Sequence, residues 1–127
     1  MDDKKTVQSQ SKSRGHEGEE EACRYITGIG YKIVKRNFTY GRVGEIDIVA
    51  MDGEQLVFIE VKARTSNLSY GKPEDAVDRR KQTQLKRVAE GYYHINKLQD
   101  QACRFDVIAV DTSLGKAEVR HIKTAFY

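Results

Sequence analysis

Little in this sequence staples, kinks or anchors a chain. Its 127 residues include two cysteines and one proline. Cys23 and Cys103 do not make a disulfide framework. Each sits in an apolar pattern and is expected as a small buried hydrophobe. The three histidines, His16, His94 and His121, lack metal-ligand spacing, which argues against zinc. No apolar run approaches the roughly 18 residues of a membrane span, and Leu56-Val57-Phe58-Ile59 is typical of the longest. Residues 1–14 are polar and have no hydrophobic core of the kind a signal peptide carries. They are expected to form a disordered tail before a single domain over residues 15–127. With neither span nor leader, the expected location is the cytoplasm.

What is present suits a folded domain. Apolar residues make up 39% of the chain and charged residues 32%, and a chain of this length buries about two-thirds of the surface it exposes when unfolded. The net charge of +3 decides little. Its placement says more. Residues 1–30 carry five basic and six acidic side chains, whereas residues 65–105 carry eight basic and five acidic. The excess gathers in Arg79, Arg80, Lys81, Lys86 and Arg87. Such a run is either a solvated helix face or a footprint for a phosphate backbone.

Periodicity places the elements. Ala22, Tyr25, Ile26 and Ile29 follow helical spacing from about Glu17 to Thr27, with Gly28 and Gly30 ending the helix. Glu19 falls on the edge of that apolar face, so its carboxylate needs a partner. Tyr31–Val34 and Asn37–Tyr40 read as short β runs, with a turn at Gly41-Arg42, and Gly44–Ala50 reads as a strand. Asp52-Gly53 signals a hairpin to a returning strand over Leu56–Ala63. A polar loop, Ser66–Lys72, leads to Pro73, which suits the first turn of a helix. That helix is predicted over Glu74–Asn96 with a break near Asp78; Val77, Leu85, Val88, Tyr92 and Ile95 share one face, and Lys81 lies on it. Cys103–Val110 and Lys116–Ile122 are two further strands, joined around Ser113–Gly115. The order α-β-β-β-α-β-β predicts an α/β domain, a mixed sheet flanked by helices.

The hairpin carries the chemistry. With Asp52 and Gly53 at the centre of the turn, Asp47 faces Phe58, Glu45 faces Glu60, and Asp47 and Glu60 are diagonal neighbours about 7 Å apart. Glu45, Asp47, Glu60 and Lys62 then share a face. Two carboxylates so close repel, and something positive must sit beside them. Lys62 supplies one charge. Hard oxygen ligands favour Mg²⁺ or Mn²⁺, which would polarise a phosphoryl oxygen while Lys62 orients or helps deprotonate a water. The alternative is a solvent-facing, salt-bridged strand pair. Against it stand the apolar residues on both strands, the presence of Val49, Leu56 and Phe58 on the charged face, and the nearby Glu19.

An acidic strand residue followed across a hairpin by Glu-x-Lys resembles the site pattern of the PD-(D/E)xK nuclease superfamily; here it reads Asp47, then Glu60-Val61-Lys62, thirteen residues on from Asp47 to Glu60. The ordered set Gly18-Glu19, Gly30-Tyr31 with Asn37-Phe38, Gly44-Glu45-Ile46-Asp47-Ile48, Phe58–Arg64, Pro73 with Ala76-Val77, Arg80-Lys81-Gln82 and Arg104-Phe105-Asp106-Val107 resembles the YraN-like family of small bacterial proteins over residues 15–127.

The resemblance implies a restriction-endonuclease-like fold, similar to archaeal Holliday junction resolvases. The implied activity is Mg²⁺- or Mn²⁺-dependent hydrolysis of phosphodiester bonds in DNA, with branched or junction DNA as a candidate substrate. It implies Asp47, Glu60, the Val61 carbonyl and Glu19 as metal ligands and Lys62 as the catalytic lysine. Lys81 and Gln82 match a second-helix motif and join Arg64, Arg79, Arg80, Lys86 and Arg87 as candidate DNA contacts. Glu45 is either part of the site or a partner for a basic side chain. Asp106 is a structural residue or one that orients the site. A module that binds nucleic acid with little or no cleavage is the alternative function. One site per chain cuts one strand, so cutting both would need a homodimer or successive events.

Overall fold

The computed structural model describes residues 17–64, 77–113 and 115–127. The expected tail, His16, the Ser66–Lys72 loop, Pro73 and the centre of the turn at Leu114 lie outside the described residues, as does the Arg64 side chain. Residues 17–28 form helix α1. Strands β1 (Lys32–Tyr40), β2 (Gly44–Asp52) and β3 (Gln55–Arg64) follow, then helix α2 (Arg79–Ile95) and strands β4 (Cys103–Asp111) and β5 (Glu118–Phe126). The sheet order is β1-β2-β3-β4-β5. Only β3 and β4 run parallel, because α2 carries the chain across between them. The predicted order is the observed one.

Each face of the sheet has its own core. Ala22, Cys23 and Ile26 of α1 pack on Tyr31, Ile48, Ala50, Val57, Ile59, Ile108 and Val110. On the other face Leu85, Val88, Ala89 and Tyr92 of α2 pack on Phe38, Ile46, Val49, Leu56, Phe58 and Val107. A fully buried Leu or Val contributes roughly 1.5–3 kcal/mol, so an Asp at Val88 would undock α2. Ile95, expected on the same face, is 56% exposed, since it ends the helix beyond the sheet. Cys23 is buried, but Cys103 is exposed. It opens β4 on the wall of an open recess beside Lys86 and Tyr93 rather than beneath α2.

The two short runs expected before Gly41 are one strand. A register shift between Ile33 and Lys35 absorbs Val34 as a bulge, and Asn37 turns to φ +55°. The twist matters for what faces what. Phe38 pairs with Ile46, in the α2 core, whereas Arg36 pairs with Ile48, which lies in the α1 core. Strict alternation would put Ile46 and Ile48 on one face. The chain therefore changes face at Asp47.

Helix α2 begins at Arg79, directly after the break expected near Asp78, and the expected stretch 74–76 lies outside the described residues. Asp78 caps it, its carboxylate accepting from the Lys81 N–H at 2.9 Å. Gly91, a weak residue for a helix interior, has a packing reason. A Cβ there would lie 2.4 Å from the Tyr40 ring, which nests against the bare helix backbone.

Candidate active site

The β2–β3 hairpin turns on Gly53-Glu54, with Asp52 paired to Gln55. The expected turn centre was Asp52-Gly53. Gly53 takes the positive φ, +61°, that favours glycine at the first central position. This moves the partner of each β2 residue two positions along β3: Val49 faces Phe58 instead of Leu56, and Ile48 faces Ile59. The next pair outward would be Asp47 with Glu60, directly opposed rather than diagonal. The ladder stops there. Instead the Val61 N–H donates to Asp47 Oδ2 at 2.8 Å. A side chain has replaced a strand carbonyl as acceptor, and this opens the sheet where the chain changes face.

The opening concentrates negative charge. Glu60 is buried, and among the described residues its Oε2 has no hydrogen-bond partner. Burial, the Glu60 charge and a shared hydrogen bond with Glu60 push the Asp47 carboxyl from its ordinary 3.8 up to about 7, against the opposing pull of the Val61 N–H and Lys81. Partial burial and Asp47 also push Glu45 up, again opposed by Lys81. The ammonium within reach of Glu60 belongs to Lys81, with Nζ 3.5 Å from Oε2. Lys62, the expected counter-charge, is half-buried on β3 and follows Glu60 by alternation. Among the described residues no ion pair joins it to Asp47 or Glu60.

Glu19 and Glu45 meet through a third residue. With its amide nitrogen turned toward them, Asn37 donates to Glu19 Oε1 at 2.7 Å and to Glu45 Oε1 at 2.8 Å. The positive φ of Asn37 is tolerated by this residue type. Gly18 lets α1 bring Glu19 this close: a Cβ on it would sit 2.9 Å from that of Ala63. Glu45 thus leans toward α1, away from the shared face expected for all four polar residues, because the change of face at Asp47 breaks the alternation. Among the described residues no three His, Cys, Asp or Glu side chains converge closely enough to hold an ion by themselves.

Beside the carboxylates lies an open groove of about 620 Å³, lined by Arg42, Arg80, Lys81, Gln84 and Arg87 among others. The basic run on α2 is therefore divided. Arg80, Lys81 and Arg87 line this groove, Arg79 is exposed, and Lys86 borders the recess near Cys103. Gln82 is occupied locally, donating to the Val77 carbonyl at 3.1 Å.

Comparison with known proteins places this chain in a family. The profile of the family described as "Uncharacterised protein family UPF0102" matches residues 18–110. The UPF0102 protein of Chlorobaculum tepidum is 48% identical over 120 residues, covering 88% of this chain and 90% of that protein. That of Desulforamulus reducens is 42% identical, covering 91% and 97%, and that of Acetivibrio thermocellus 37% identical, covering 99% and 100%. The chain belongs to the UPF0102 family. This is the YraN-like family that the sequence resembles.

Two features of the UPF0102 chain escaped sequence reasoning as site residues. Arg42 read only as a turn marker, yet it lines the groove. Asn37 was visible only as part of a family motif; a polar residue between β runs was its faint signal. Asp106, expected as a structural residue or one that orients the site, lies in a separate network. Alternation puts it on the α1 face, opposite Glu60. There it accepts from Arg104 Nε at 3.0 Å and the Thr124 N–H at 3.0 Å, and bonds His121 Nε2 at 2.7 Å. Arg104 continues to Asp52 at 2.9 Å, Gln55 at 2.8 Å and the Tyr31 hydroxyl.

Proposed function

We propose that this UPF0102 chain is a Mg²⁺- or Mn²⁺-dependent nuclease that hydrolyses phosphodiester bonds in DNA, with branched DNA the first substrate to test and the cytoplasm its place of action. The observation that carries the reading is the Asp47–Glu60 pair, held together at an electrostatic cost where the sheet opens, beside a groove lined with cations. Proteins maintain such a cost where a charge is to be bound or a proton handled.

The donor chemistry fits a hard divalent cation. Glu60 Oε2 is a buried carboxylate oxygen that no hydrogen bond from the described residues reaches, and Mg²⁺ is commonly held by one or two carboxylates plus waters and phosphate oxygens. Asp47 and Glu60 would hold the ion, with the Val61 carbonyl and Glu19 added as the family resemblance implies. When bound, it would polarise the phosphoryl oxygen and lower the pKa of a coordinated water. The chain's own side chains do the rest. Lys62 orients the attacking water and stabilises charge on the phosphate. Arg42, Arg80 and Arg87 fix the backbone in the groove, and Arg64, Arg79 and Lys86 extend that contact.

Labelled duplex, flap, fork and four-way junction DNA, incubated with Mg²⁺ or Mn²⁺, test the reading. Wild-type protein is expected to cut at least one of them, and Lys62→Ala to lose about 10²-fold or more in single-turnover rate while DNA affinity changes little. Cleavage that survives Lys62→Ala within a few-fold would reject this assignment. A second reading, a DNA-binding module without cleavage, is favoured by the basic groove alone, which needs no metal to hold a phosphate backbone. It predicts DNA affinity indifferent to metal and no product on any substrate.

A further inference from the structure

Lys81 occupies two places at once. Its ammonium is 3.5 Å from the buried, otherwise unbonded Oε2 of Glu60, and its side chain also lines the basic groove with Arg42, Arg80 and Arg87. The backbone is not free to move: Asp78 caps α2 through the Lys81 N–H, and Leu85 and Val88 anchor the helix in the core. The side chain is free, about one-third exposed on a flexible stem. Its partner is not, with 9% of the Glu60 side chain exposed. The pair is a loose contact at ion-pair distance without a hydrogen bond.

We propose that Lys81 is the resident counter-ion of the carboxylate pair in the metal-free protein, and that it transfers from Glu60 to a nucleic-acid phosphate in the groove when a divalent cation takes its place. The proposal rests on the metal-site reading above and assigns Lys81 a positioning role within it. Two cations cannot share Glu60 Oε2 without strong repulsion in a partly buried site. Lys81 and the metal therefore compete in the free protein. A phosphate in the groove gives Lys81 somewhere else to go, so DNA and metal each favour the other's binding through one side chain. No bond between heavy atoms is made or broken; the ion pair is what changes hands.

The competition has an unusual sign. Removing most basic residues from a DNA-binding surface lowers affinity for DNA and leaves metal binding alone. Lys81→Met, which keeps the stem and loses the charge, is expected to tighten Mn²⁺ binding to the free protein about fivefold or more, while DNA affinity measured in Mn²⁺ falls several-fold. Lys81→Gln should behave alike, and Lys81→Arg, which restores the charge, should return Mn²⁺ affinity toward wild type. Free Mn²⁺ can be counted by its electron paramagnetic resonance signal and DNA binding followed by fluorescence anisotropy, with thermal melts confirming folding. In wild type the addition of junction or duplex DNA should tighten Mn²⁺ binding, and in Lys81→Met that enhancement should shrink. Wild-type Mn²⁺ binding that is unchanged or weakened in both Lys81→Met and Lys81→Gln would overturn the role of Lys81 and leave the metal site standing. Wild-type protein that binds no Mn²⁺ at millimolar concentration would overturn both.

Discussion

Asp106 and Asp47 are carboxylates of the same sheet, and their protons are held in opposite senses. Burial alone would raise Asp106, but hydrogen bonds from His121, Arg104 and the Thr124 N–H outweigh it and hold the carboxyl below its ordinary 3.8. Asp47 is pushed to about 7, because its burial is compounded by Glu60 and only partly relieved by the Val61 N–H and Lys81. One cluster is paid in full by cations and donors. The other is left short of positive charge. The difference separates a structural network from a candidate site better than burial does, since both clusters are drawn from the middle of the fold. The Arg104–Asp106–His121 network ties together the hairpin tip, β4, β5 and, through Tyr25 and Tyr31, the α1 end of the molecule. Among the described residues, Asp47, Glu60 and Glu45 hold little besides the Val61 N–H, Asn37 and the loose Lys81 ammonium.

The largest expected effect comes from breaking the satisfied side. Asp106→Ala removes the buried one of the two carboxylates that Arg104 pairs with, leaving only the more exposed Asp52, takes the acceptor from His121 and the Thr124 N–H, and should cost roughly 3–5 kcal/mol in urea unfolding at pH 7. Because the folded Asp106 carboxyl is lowered, its stabilisation is present above about pH 4 and is lost as pH falls through the folded value. The gap between wild type and variant should therefore narrow in acid. A loss under 1 kcal/mol at pH 7 would mean that the network is dispensable and that the contrast with Asp47 is not one of structure against function.

A change of opposite sign is expected at the unsatisfied side. The folded Asp47 carboxyl is raised, so the native state holds a proton that the unfolded chain releases between about pH 4 and pH 7. Stability contributed by this group falls across that window, and the full cost stands above it. Asp47→Asn keeps an acceptor for the Val61 N–H and removes the charge. In metal-free buffer it should gain roughly 1–3 kcal/mol at pH 8 and close to nothing at pH 4. Destabilisation at pH 8 would show that the carboxylate, not just its acceptor oxygen, supports the fold.

The smallest change sharpens the comparison at its border. Asn37→Asp retains a residue type that accepts positive φ but exchanges two donated hydrogen bonds for a third negative charge beside Glu19 and Glu45. A loss of about 1 kcal/mol is expected in metal-free buffer at pH 8, shrinking as pH falls toward 4 and in the presence of Mn²⁺. A loss that is the same at both pH values would assign Asn37 to backbone shape alone.

Much of this was legible in the residues. Helical spacing placed Glu19 at the rim of α1 and Lys81 on the inner face of α2, and both stand at the carboxylate cluster. Alternation put Glu60 and Lys62 on one side of β3. The order of elements followed from the same two periods. The reading failed where a single residue shifted a period. Gly53, rather than Asp52, opens the turn, and that moved the partner of every β2 residue two positions along β3. Asn37 and Asp47 let β1 and β2 change face, which no alternating pattern contains.

Sequence by itself determined what each element would present along its own axis, because 3.6-residue and two-residue periods are local properties of the backbone. It also placed two acidic residues and a lysine on one hairpin, whatever its register. Tertiary structure alone decided which charges meet. Asp47 comes up against Glu60 because of a turn five residues away. Lys81, twenty-one residues beyond Glu60, reaches it only because α2 docks across β1 and β2. Arg42 joins Arg80 and Arg87 through the same docking. Contacts of that kind depend on register and helix placement, which are set by the summed packing of both cores and by no segment alone.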